Sequence, residues 1–128
     1  MDRYNPAQTP AVIEYDTGAA VLFIRYEGKV SADGLHRAHE AVLDRVDGGE
    51  VLGLVIDVRQ SQPVYSPSEL VESMESCVAD MALERVALVA EGSRERLVML
   101  METVACGHGV RVRAFADAHE ARCFASGA

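Results

Sequence analysis

The stretch Val51-Leu52-Gly53-Leu54-Val55-Ile56-Asp57-Val58, followed by an irregular segment and then Ser66-Pro67-Ser68-Glu69, constrains this chain more than any other feature. An almost unbroken apolar run needs cover on both faces, as a central strand of a parallel sheet has. Ser66 then supplies an N-cap, Pro67 a proline at the first helical position and Glu69 a carboxylate at the third, which together make a capping box. The unit reads as a buried strand ending near Asp57, a loop from Arg59 to Tyr65, and a firmly started helix.

The remaining elements attach to this unit. Residues 1–10 are polar, contain two prolines and read as a loose leader, with residues 11–128 as a single domain. Ala11 to Asp16 alternates like a half-exposed strand, and Asp16-Thr17-Gly18 reads as a hairpin turn with positive φ at Gly18. Ala20 to Tyr26 is a second, more buried strand. Gly28-Lys29-Val30 leads to Ser31, a good N-cap for a helix ending near Val46. Its inward stripe holds Ala32, Leu35, Val42, Leu43 and Val46, with His39 inside it and His36 at its edge.

The helix after Ser66 carries Leu70, Val71, Met74, Cys77, Val78 and Met81 on one side and a solvated back on the other. Arg85 to Ala90 is a fourth strand, and Gly92-Ser93 opens a third helix that stops near Gly107. Leu97, Val98, Leu100, Met101, Val104 and Ala105 cover roughly 160° of that helix at ideal geometry. So wide a stripe reaches the sheet and one more object, a neighbouring subunit or an apolar ligand. Val110 to Phe115 is a fifth strand, and Asp117 caps a short last helix. The order ββαβαβαβα predicts an α/β fold. Its five-stranded mixed sheet has the N-terminal hairpin strand antiparallel and the remaining strands parallel, with four helices.

Charge narrows the choice of partners. The net charge of −8 over 128 residues disfavours nucleic acid and anionic membrane surfaces. No apolar run is long enough to span a bilayer, and no signal peptide follows Met1. Three cysteines without CxxC spacing, Cys77, Cys106 and Cys123, suggest reduced thiols and a cytoplasmic location.

Ligands of parallel sheets gather at the carboxyl ends of the strands. That edge should carry Asp57, Arg59, Tyr65, Glu91, Ser93 and Arg94 as a rim for a ligand or partner, with Glu27, Lys29, Ser31 and Asp117 nearby. Helix N-termini there favour anions, but Glu27, Asp57, Glu91 and Asp117 oppose them, and no glycine-rich phosphate loop is present. A phospho-accepting receiver domain needs an acidic pair after an early strand and a late lysine, whereas Lys29 is the only lysine. His36 and His39 with Glu40 imitate a metal pair but lack a third ligand, and His39 reads more simply as a core histidine. Cys77 reads as core. Cys106 and His108 are close in sequence, so an unrecognised enzyme using them is the outlying alternative. Neither a cofactor nor a metal is expected.

The element order resembles the STAS domain, as do the strand ending at Asp57 and the serine at the next helix start. More closely, the chain resembles SpoIIAA-like (STAS/SEC14-type) bacterial proteins. The likeness is carried by Glu27-Gly28-Lys29-Val30-Ser31-Ala32-Asp33, Glu84-Arg85-Val86-Ala87-Leu88-Val89, and Val112-Arg113-Ala114-Phe115 with Glu120-Ala121. The resemblance implies a non-enzymatic domain that binds a protein partner, a second copy of itself in a homodimer, or a small apolar, lipid-like ligand. Met74, Met81, Leu97, Val98 and Met101 would line the apolar pocket or interface. In anti-sigma-factor antagonists of that class, a serine at the start of the second helix is phosphorylated by a partner kinase. The resemblance makes Ser66 or Ser68 the corresponding candidate for a phosphorylation-regulated partner switch. Tyr65-Ser66-Pro67-Ser68-Glu69 stands here in place of the Asp-Ser-Ser-Gly-Leu type segment of those proteins.

Overall fold

The computed structural model describes residues 11–91 and 95–127. In chain order the elements are β1 (Ala11–Asp16), β2 (Val21–Val30), α1 (Ala32–Val46), β3 (Gly53–Pro63), α2 (Pro67–Asp80), β4 (Arg85–Val89), α3 (Glu95–Cys106), β5 (Arg111–Phe115) and α4 (Ala118–Ser126). This is the expected succession. The strands lie side by side as β1-β2-β3-β4-β5, with β1 antiparallel to β2 and every other pair parallel. The expected leader, residues 1–10, and the rim residues Ser93 and Arg94 fall outside the described residues.

Strand order in strict sequence has a geometric consequence. Right-handed crossovers that always step in one direction put every crossover helix on the same face. α1, α2 and α3 share that face with Leu22, Ile24, Leu54, Ile56 and Leu88 of the sheet. α4 follows the last strand and takes the opposite face, where Ala121 and Ala125 meet Val21, Phe23, Val55, Ala87 and Val89. Neighbours along each strand thus serve different layers, which is why β3 is buried without a break from Gly53 to Val58.

α4 sits close to its sheet because its contact side is built from small residues. A Cβ at Gly53 would collide with the Ala125 carbonyl, so glycine is required there. Arg85 Nε donates to the Ala125 oxygen at 3.2 Å, placing a cation at the helix C-terminus. The Arg122 guanidinium lies 4.2 Å from the centre of the Phe23 ring.

Four local expectations are corrected. The hairpin turn places its positive φ at Ala20 (φ 55°), not at Gly18, because the turn runs two residues further than expected. Residues 59–63, expected as loop, are strand: β3 continues to Pro63, and Asp57 lies inside it rather than at its end. β2 likewise continues through Glu27 to Val30, so Lys29 belongs to a strand. These extensions pair only with each other, Glu27 with Gln60 and Val30 with Pro63, beyond the ends of β4 and β5. A two-stranded ribbon projecting past its sheet needs no apolar face, so its polar composition looks like loop. Lastly, Leu43 is 40% exposed and not part of the inward stripe of α1.

Candidate functional site

The ribbon matters because it shapes a hollow under α2. Between Arg25–Glu27 of β2 and Asp57–Gln60 of β3 the register slips, leaving one extra residue in β3. Such a bulge breaks the alternation of side chains. Val58 faces the helices and so does Ser61, three residues on, whose hydroxyl donates to the Val58 carbonyl at 2.8 Å. α2 packs against α1 and α3, and its Leu70 and Met74 reach toward the sheet around a small gap. The gap is an apolar cavity of about 40 Å³ bounded by Tyr26, Leu54, Leu88, Tyr65, Met74 and Met101, with Leu97 and Cys77 also in its wall. Polar groups are few there: burial, with the neighbouring Cys77 thiol and Tyr65 phenol as competing acids, raises the Tyr26 phenol far above its ordinary range and keeps it neutral.

α2 is pinned to α1 at one side of this hollow. His39 Nε2 donates to Asp80 Oδ2 at 2.7 Å, and His39 Nδ1 stands 3.2 Å from Cys77 Sγ. Burial pushes the Cys77 thiol up to about 12, and Asp80 adds to the effect. Sequence spacing offered Cys106 and His108 as the thiol–imidazole pair; the fold assembles His39 and Cys77 instead. Cys106 is exposed at the end of α3, His108 lies in the turn after it, and their side chains share no hydrogen bond. The signal that sequence reading missed was the coincidence of His39 and Cys77 on the inward stripes of consecutive helices, which right-handed crossovers make neighbours.

The rim forms on the other face. Asp57 is 2% exposed, and its carboxylate accepts from the Arg59 N–H at 3.0 Å, from Arg59 Nε at 3.0 Å and from Arg59 Nη2 at 2.7 Å. Burial alone would raise this carboxyl; the Arg59 hydrogen bonds and charge, with Arg25 adding, outweigh it and hold Asp57 below the usual range. Glu91 and Asp117 act on Arg59 in turn, so the rim acids converge around one guanidinium. On the same face but toward the other edge of the sheet, an open groove of about 720 Å³ runs between α4 and the β1–β2 turn, with Glu14, Asp16, Phe23, His119, Arg122 and Cys123 in its walls.

The remaining sequence-predicted residues have plain positions. Ser66 Oγ accepts from the Glu69 N–H at 3.2 Å, and Glu69 Oε1 accepts from the Ser66 N–H at 2.7 Å, completing the capping box. Ser68 Oγ lies 3.2 Å from Ser66 Oγ. Tyr65 closes the hollow instead of joining Asp57 on the rim. Met81 is buried in the core at the C-cap of α2, and Val98 is half-buried; neither borders the hollow, whereas Met74, Leu97 and Met101 do. His36 is exposed beside Glu40 at 3.7 Å. Among the described residues no group of three metal-ligating side chains converges, and no helix is long and apolar enough to cross a membrane.

A profile described as SpoIIAA-like matches residues 21–126. No curated protein matches in sequence. Among solved structures, the chain is similar to an uncharacterized protein of the DUF3478 family with a SpoIIAA-like fold from Shewanella loihica PV-4. The two are 14% identical with a TM-score of 0.65, over 90% of this chain and 91% of that one, a likeness of fold.

Proposed function

The chain belongs to the SpoIIAA-like family, and from that premise we propose that it is a non-enzymatic domain that binds a small apolar ligand between α2, α3 and the sheet. The observation that carries this reading is the apolar hollow itself. Leu70 and Met74 of α2 and Leu97 and Met101 of α3 wall it against Leu54, Ile56 and Leu88 of the sheet. At about 40 Å³ the gap holds little more than a water or two as it stands. Met74 and Met101 supply the means of enlarging it, because unbranched thioether side chains repack at low cost. The exposed apolar side chains Val12, Leu43, Val64 and Met99 are dispersed over four different elements or loops, which supports a ligand over a protein partner. A phosphorylation switch at Ser66 or Ser68 is the weaker reading, since the Ser66 hydroxyl is already engaged in the cap.

Methionine-methyl NMR tests the proposal. Octanoate titrated into the protein should move the Met74 and Met101 methyl signals together and saturably, leaving Met99, which is 66% exposed on α3, in place. Equal drift of all the signals, or none at saturating octanoate, would remove the ligand reading.

A further inference from the structure

Cys77, His39 and Asp80 stand in the order that an activated thiol requires: nucleophile, base, orienting carboxylate. A neutral imidazole whose Nε2 proton is held by Asp80 (2.7 Å) keeps the Nδ1 lone pair free, and Nδ1 is the atom 3.2 Å from the sulfur. His39 is 11% exposed, so the relay is largely screened from water, while Asp80 reaches the surface at 46%. Cys77 also belongs to the wall of the hollow. The sulfur is therefore placed where an apolar cavity meets a proton acceptor. A purely structural cysteine in an apolar stripe needs no imidazole, and a helix-to-helix contact between His39 and Asp80 needs no sulfur at the ring's other nitrogen.

Resting on the apolar-ligand reading, we propose that Cys77 is an acyl acceptor for a ligand of the acyl thioester class, whose chain occupies the hollow. The thiol is protonated at neutral pH, its range pushed up to about 12 by burial, so attack needs the base. His39 Nδ1 takes the thiol proton as the sulfur electron pair forms a bond to the acyl carbon. The tetrahedral intermediate collapses by breaking the carbon–sulfur bond to the leaving thiol, which takes the proton back from His39. The products are an S-acyl Cys77 and one free thiol, with no oxidant or reductant involved. Cys77 and His39 touch the reacting atoms; Asp80 is a positioning residue that holds the ring tautomer.

The molecule contains its own controls. Cys106 and Cys123 are exposed, and Cys123 has an imidazole only at 3.9 Å, His119 Nε2. The intact protein is treated with the octanoyl thioester of N-acetylcysteamine at neutral pH and followed by intact mass and peptide mapping. One octanoyl group should appear on Cys77, at least tenfold faster than on Cys106 or Cys123. His39→Gln should slow Cys77 about 100-fold, in the range that a positioned base contributes. Asp80→Asn should slow it several-fold and displace its pH–rate profile, and Asp80→Glu should restore part of the rate. Acylation of Cys106 or Cys123 as fast as Cys77, or an unchanged Cys77 rate in folded His39→Gln, overturns the proposal. Should His39→Gln fail to fold, a wild-type rate and profile in Asp80→Asn overturns it equally. Octanoate shifts at Met74 and Met101 without acylation of Cys77 leave the hollow as a binding site and remove the acyl acceptor; loss of both signals removes both.

Discussion

The two faces of the sheet solve burial in opposite ways. Under α1, α2 and α3 the contact surface is large side chains, Leu22, Ile24, Leu54, Ile56 and Leu88, and it leaves a hollow. Under α4 the helix side is small, Ala121 and Ala125, set on Val21, Phe23, Val55 and Val89, and at Gly53 helix and strand touch backbone to backbone. Large residues hold elements apart and make room that side-chain motion can enlarge; small residues draw elements together and leave none. The open groove beside α4 is far roomier, at about 720 Å³, but charged side chains, Glu14, Asp16 and Arg122, stand in its walls. Volume alone would select the wrong face for an apolar ligand, and lining chemistry selects the right one.

The largest expected effect tests the loose face. Leu88→Ala, at a fully buried residue bordering the hollow, should cost about 2–5 kcal/mol in denaturant unfolding. If the hollow is a binding site, the enlarged cavity should be stabilised by octanoate more than the wild type is. Loss of stability without that rescue would make this face ordinary core.

The faces should also fail at opposite ends of the pH scale. Asp57, beside α4, has a folded-state range below its unfolded one, so its contribution is full above the ordinary carboxylate range and is lost as pH falls through the depressed value. Asp57→Ala should cost about 2–3 kcal/mol, somewhat less than a fully buried pair because Arg59 is 32% exposed, and should flatten the acid limb of the stability curve. Tyr26 and Cys77, beside the hollow, are raised instead. Their contribution is full below their ordinary values of 10.0 and 9.0 and declines as pH rises above them, continuing for Cys77 to about 12. Cys77→Ala should reduce the alkaline limb and leave the acid limb untouched, as measured by urea unfolding across pH.

A tight face should resent added volume. Gly53→Ala forces the Ala125 backbone away and should cost about 1–3 kcal/mol, read as a lower thermal midpoint. The smallest effect is expected at Ser66, where alanine removes one half of the capping box for about 1 kcal/mol. A much larger loss there would mean that the start of α2 also holds the hollow closed.

Elements with strong local signals were legible before any coordinates. The Ser66-Pro67-Ser68-Glu69 cap, the Ser31 and Asp117 caps and the apolar run through Val55 act over a few residues, so their physics is written in neighbouring letters. The β2–β3 ribbon was not legible, because its strands satisfy each other's hydrogen bonds in solvent and carry no apolar pattern. The wide stripe of α3 suggests a neighbouring subunit or an apolar ligand beyond the sheet, whereas packing against α2 of the same chain accounts for part of its width.

What the sequence alone determined is the succession of strands and helices and the parallel sense of the sheet after its first hairpin. Periodicity, capping and crossover handedness are local or general, and they need no coordinates. Only the tertiary structure decided that His39 meets Cys77 and Asp80 across two helices, 38 and 41 residues apart, and that an apolar hollow remains between α2, α3 and the sheet. Such distances and gaps come from helix spacing and from how side chains of particular volumes interlock, and no single stretch of chain encodes either.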